Sequence, residues 1–183
     1  MQKDKPNTLK LKRVSRRFRL FMQILMAVVP LSNGLFWLFL NHLPELVQKE
    51  VLPYYLHFPL PWPTLLMGFI VTTLLPIGVG VYGLYCLQRL FQLYEQGQIF
   101  LAANVFWYKR LSQVLLLSFA AGLCCRSLLS VVLTLHHPPG QRMLTLSLGS
   151  DDINILVLGG ILAVISWVME AGRQLQEDID LTV

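Results

Sequence analysis

A chain of 183 residues has room for one domain. Its residues are 55% hydrophobic and only 14% charged, where a soluble domain carries about 25% charge. The apolar residues come in long blocks, which excludes a small core wetted on all sides and makes lipid the solvent.

The net charge of +5 is unevenly placed, with eight of the fifteen Lys and Arg before Leu20. Residues 1–19 therefore read as a basic tail. Within it Leu11, Val14 and Phe18 share one side, and Lys12, Arg13, Arg16, Arg17 and Arg19 surround the rest. That pattern predicts a topology signal and a helix lying on anionic lipid headgroups. Nucleic acid is the rival partner for such a tail, but no recognition fold accompanies it, so no nucleic-acid partner is expected.

The first span covers residues 20–40. Its apolar run outlasts a signal peptide's short h-region and no small-x-small cleavage site follows, so it reads as an anchor that stays. The 41–63 connection carries five prolines counting Pro63, with a short helix expected near 45–51. The second span, 64–87, contains the ridge Gly68, Thr72, Pro76, Gly80 at four-residue steps. Pro76 cannot donate to the Thr72 carbonyl, nor Pro30 to that of Met26.

Beyond the second span, Leu87, Leu90, Phe91 and Tyr94 continue an apolar stripe at helical spacing. Gly97 suits the left-handed position that ends such a helix, and a new helix starts near Leu101. The 88–110 connection is thus predicted to be a helical hairpin. The third span is 111–134. In the connection that follows, Leu144, Leu146 and Leu148 alternate with polar residues, which permits a short strand. The fourth span, 153–169, is about 26 Å long by helical rise, a little short of a ~30 Å hydrocarbon core. An acidic tail, 170–183, closes the chain; it reads as solvated, as a tether to the basic tail or as a docking peptide.

Orientation follows from the basic residues. The N-terminal tail, the 88–110 connection and the C-terminal tail hold twelve Lys and Arg; the other two connections hold only Lys49 and Arg142. The positive-inside rule puts both termini in the cytoplasm. Trp37 and Trp62 then fall at the outer interface, Trp107 and Trp167 at the inner one. Cys86, Cys124 and Cys125 all lie in apolar blocks and read as small packing residues.

Arg126 lies inside the third span, where a charge costs about 2.5–3.5 kcal/mol on insertion scales. Ser118, Gly122, Arg126 and Ser130 form one small-residue ridge, so the arginine is expected to face protein. Arg126, Asn33 and Thr72 fall at a similar depth and form the candidate buried polar cluster. In a functional reading Arg126 binds an anion or lines an outward-facing cavity. In a structural one it donates to Asn33 and a freed carbonyl, while Asp151 and Asp152 offer an outward partner by snorkelling. One arginine with no acidic residue in any span is thin evidence for a pathway, which favours the structural reading.

The four histidines, His42, His57, His136 and His137, are expected outside and lack ligand spacing, so no metal is expected. No axial ligand for haem lies in a span, and no cofactor is expected. Paired in-membrane carboxylates, a Ser/His arrangement, HExxH and phosphate loops are all missing from the sequence, so the expectation is not an enzyme.

Two stretches carry a resemblance. Leu90-Phe-Gln-Leu-Tyr-Glu-Gln-Gly-Gln-Ile-Phe, followed by Asn104, resembles the cytoplasmic hairpin signature of a bacterial inner-membrane family. The tail that begins Glu170-Ala-Gly-Arg-Gln-Leu is similar to that family's closing signature. The family is the one labelled domain of unknown function twenty-nine seventy-five. The chain departs from it at Leu101, where Ser or Thr is expected as N-cap. The resemblance implies a multi-pass bacterial plasma-membrane protein and a genetic neighbour encoding a Cro-like helix-turn-helix regulator. It brings no catalytic residues.

The expected fold is an all-α integral membrane protein, a single domain over 1–183. It is a four-transmembrane-helix bundle with a cytoplasmic hairpin extension between helices 2 and 3. The expected function is a non-enzymatic module in signalling, stress response or toxin immunity. It would touch a cytoplasmic protein partner through Tyr94, Gly97, Phe100, Asn104, Glu177, Asp178 and Leu181. The alternative is a transporter or channel subunit built on Arg126, as a homo-oligomer because four spans enclose little pore.

Overall fold

The structure is a computed structural model that describes residues 6–44, 47–48, 59–98, 101–135, 138 and 142–181. Among the described residues the chain is all helical, without strands. Helix α1 (Pro6–Phe39) ends in a 3₁₀ turn at Leu40–His42. Helix α2 (Trp62–Thr72) passes through a π-turn (Thr73–Ile77) into α3 (Gly78–Glu95). Helices α4 (Ala102–Thr134) and α5 (Ser150–Leu181) complete the fold.

Four stretches are long and apolar enough to cross a membrane: Lys12–His42, Trp62–Glu95, Ala102–Thr134 and Ser150–Leu175. Large apolar side chains face outward along them, for example Leu31, 65% exposed, and Leu74, 71% exposed. Such surface is tolerated where the surroundings are themselves apolar. Helix α1 packs against α2 and α3, both α2 and α3 against α4, and α4 against α5. Two apolar clusters hold them. One joins Trp37, Leu40, Leu60, Leu65 and Leu133. The other, nearer the α3–α4 turn, joins Cys86, Leu111 and Val114, with Leu162 of α5 against it.

Several expectations need adjusting. The basic segment is not a separate surface helix, because α1 runs without a break from Pro6 into the first span. Its length, about 51 Å by helical rise, exceeds a ~30 Å hydrocarbon core. Likewise the described part of the 170–183 tail is no loose peptide, since α5 continues to Leu181. All four spans therefore extend as helix at the same end. Trp37 is a core residue, 3% exposed, and not a belt residue; Trp62 and Trp167 are exposed. The expected 45–51 helix lies almost wholly outside the described residues, as do His57, His136 and His137.

The Gly68–Gly80 ridge is broken by the π-turn around Pro76. Gly78 N–H reaches back to the Thr73 carbonyl, the i→i−5 bond that accommodates one extra residue. The face rotates accordingly. Gly68 is buried, whereas Gly80 has open space around it and Gly83 takes over, a Cβ there lying 3.3 Å from Val114.

Candidate functional site

Three polar constellations hold the spans together. The first lies between α1 and α2. Asn33 Nδ2 donates to Thr73 Oγ1 at 2.9 Å, and Thr72 Oγ1 donates to Asn33 Oδ1 at 3.2 Å. Trp37 Nε1 donates to Thr72 Oγ1 at 2.9 Å. The π-turn starts at Thr73, so two successive threonines both reach one asparagine. Asn33 and Thr72 thus come together as expected. Thr73 and Trp37 escaped the sequence reading, because a regular α-helix aims adjacent residues about 100° apart.

The second constellation contains Arg126. Its guanidinium donates to Asp152 Oδ2 at 2.7 Å, and Asp152 Oδ2 also accepts the Gly149 N–H at 2.8 Å. The Arg126 side chain is 37% exposed and that of Asp152 only 5%. The ion pair therefore joins α4 to the start of α5, whereas the Asn33–Thr72 bond joins α1 to α2. Asp152 stands just before the fourth span in the sequence. It is one of the two aspartates that the sequence offers to Arg126, within reach of the long arginine side chain. Gly122, on the same ridge, lies beside both groups: a Cβ there would be in ordinary contact, 3.7 Å from the guanidinium and 3.9 Å from the carboxylate.

The ridge continues through Ser130 to Thr134 and holds the segment before α5. Thr145 N–H donates to Ser130 Oγ at 3.0 Å, and Met143 N–H donates to Thr134 Oγ1 at 3.2 Å. Thr134 and Ser130 are about 6 Å apart along the helix, close to the advance of two residues in an extended chain. Residues 143–149 accordingly run as a strap down the last two turns of α4. No strand forms there. The alternation of Leu144, Leu146 and Leu148 reflects extended backbone tied to helix hydroxyls, with the leucines 69–77% exposed.

The third constellation braces the hairpin. Gly97 has φ +78. Gly97 N–H bonds Tyr94 O at 3.0 Å and Gln98 N–H bonds Leu93 O at 3.0 Å, the Schellman pattern. Leu101 is the N-cap of α4 and supplies no side-chain bond. Instead Asn104 Nδ2 donates to the Gln98 carbonyl at 2.9 Å. Tyr94 and Tyr108 share a 2.6 Å hydroxyl bond across the hairpin. Helix α1 leans on it, with Phe18 stacked on Phe91 at 5.1 Å and Arg19 paired with Glu95 at 3.0 Å.

Of the three predicted contact residues whose exposure is described, Gly97 is the one freely exposed. Asn104 is fully buried and cannot offer a docking surface, since its amide is turned into the loop it holds. Tyr94 is half-buried in the hydroxyl pair. Phe100 lies outside the described residues. Glu177, Asp178 and Leu181 lie on helix α5, their side chains outside the described residues. Among the described residues no three His, Cys, Asp or Glu side chains gather as a metal site.

No curated protein and no solved structure matches the chain. The family model described as Protein of unknown function (DUF2975) matches residues 29–183, from within the first span to the C-terminus, and the chain belongs to that family.

Proposed function

We propose that this protein is a non-enzymatic module of the bacterial inner membrane that engages a protein partner at its cytoplasmic face. The carrying observation is the braced hairpin end. All four spans continue there as helix, and Arg19–Glu95, Phe18–Phe91 and Tyr94–Tyr108 tie α1, α3 and α4 into one body. A rigid platform lowers the entropic cost of binding. Its tip presents Gln96, Gly97, Gln98 and Leu101, the leucine 44% exposed. The distribution of Lys and Arg favours a cytoplasmic location for this end. The Arg126–Asp152 pair weighs against the transport reading, because a guanidinium already matched by a carboxylate has little field left for a passing anion.

The test is photo-crosslinking in cells from Gln96 and Leu101, followed by mass spectrometry. The proposal expects one recurrent protein captured from the tip and not from Leu31 in the first span. Capture of nothing, or equal capture from all three positions, would remove its basis.

A further inference from the structure

Phe106, Lys109, Arg110 and Gln113 lie on one face of α4 at the i, i+3, i+4, i+7 spacing. They line a polar hollow of about 260 Å³, and all four are exposed. The Arg110 guanidinium sits over the Phe106 ring, 5.3 Å from its centre, which limits the wandering of a long side chain. Three cations of the described helices are paired with carboxylates: Arg19 with Glu95, Arg126 with Asp152 and Arg173 with Glu170. Glu170 is near enough to Lys109 to feel its charge, but its two oxygens bind Arg173 at 2.7 and 3.2 Å. Among the described residues neither Lys109 nor Arg110 bonds a carboxylate.

Along α4 from Gln113 the same face turns apolar. Leu117 is 55% exposed, and Ala120 and Cys124 are exposed too. A cationic hollow at the head of an apolar track has the shape of a phospholipid, charge at one end and hydrocarbon behind it. We infer that this face of α4 binds an anionic phospholipid. Its phosphate lies on Lys109 and Arg110, the Gln113 amide donates to it, and an acyl chain runs along Leu117 towards Cys124. Arginine can grip two phosphate oxygens through its fork, while lysine acts as a point charge. The apolar track argues for a lipid over free phosphate, which has nothing to place there.

The experiment uses the full-length protein in detergent, titrated with phosphatidylglycerol or phosphatidylcholine and read by native mass spectrometry. Each basic residue near a membrane surface contributes about fivefold in affinity for an anionic lipid. Phosphatidylglycerol should therefore be retained about 25-fold over phosphatidylcholine. The variant K109Q/R110Q should erase that preference. R142Q, which removes an exposed cation from the opposite end of the helices, should leave it intact. If the double variant loses its helical circular dichroism, K109Q and R110Q made singly decide the matter, each expected to lower retention about fivefold. Equal retention of the two lipids, a preference that survives removal of both cations, or its loss in R142Q overturns the inference.

Discussion

The benzo end of the Trp37 indole fills the space where a side chain on Gly68 would stand, and its Nε1–H reaches Thr72 one turn further along the same helix. Position 68 therefore fixes how closely α1 and α2 approach. Gly68→Ala would overlap the ring and force Trp37 aside, at a cost of about 1–3 kcal/mol for an overpacked core. Gly80→Ala meets nothing within 4 Å. It should be neutral or stabilising by about 0.5–1 kcal/mol through helix propensity. Reversible unfolding in mixed detergent checks the pair. A Gly68→Ala protein as stable as the parent would contradict the packing described for Trp37.

Arg126 and Asp152 should be energetically coupled. Arg126→Leu leaves a 5%-exposed carboxylate side chain without its cation, and Asp152→Asn leaves the guanidinium without its anion. Each single variant should unfold at clearly lower denaturant. The double variant should lose less than the two single losses added together. Strict additivity would show that the pair contributes nothing to the fold.

The strap has its own signature. Ser130→Ala removes the acceptor of the Thr145 N–H, and Thr134→Ala that of the Met143 N–H. A hydrogen bond is worth about 0.5–1.5 kcal/mol net, so each substitution should speed exchange of its own amide about tenfold while the helices stay protected. Exchange measured by mass spectrometry over 142–149 reads this directly. Unchanged protection there would mean that the hydroxyls do not hold the strap.

Depth offers another measurement. The strap descends from Thr134 towards Arg126 on α4, about 12 Å by helical rise. In a background without Cys86, Cys124 and Cys125, cysteine at Leu146 should react with a membrane-impermeant maleimide at least about tenfold more slowly than cysteine at Arg142. That expectation follows from the exclusion of charged reagents from hydrocarbon. Equal rates would place the whole strap in water.

At the hairpin, Gly97 alone has positive φ among the described residues. Gly97→Ala should cost about 1–2 kcal/mol, the strain of a left-handed residue with a Cβ. Asn104→Ala should cost about 1–3 kcal/mol by leaving the Gln98 carbonyl without its partner. Urea melts of the variants in detergent, followed by tyrosine fluorescence, test both. Losses near zero would show a hairpin held by something other than its turn.

The hairpin turn was the most legible feature, because Gly97 and the stripe ending at Tyr94 are local signals that act within one or two helical turns. The site was legible only in pieces. Arg126 marked itself by being a charge in an apolar block, yet its described partner is 26 residues away and belongs to the next helix's first turn. Asn33 and Thr72 were found by depth. Asn104 was singled out as a contact residue because its motif carries no sign of whether a side chain points inward.

Hydropathy and helix punctuation by themselves determined the four long apolar helical stretches and the turn between the second and the third, since each is set by residues close in the chain. Tertiary structure alone decided the rest. It turned Trp37 from the interface into the core, settled Asp152 as a partner of Arg126 among those the sequence offered, and rotated the second span's face at the π-turn. It also laid 143–149 along α4 as a strap. The physical reason is one of reach: bilayer insertion responds to summed local apolarity, whereas which polar groups meet depends on helix rotation and relative height. Those are fixed only when small residues such as Gly68 and Gly159 let neighbouring helices close on one another.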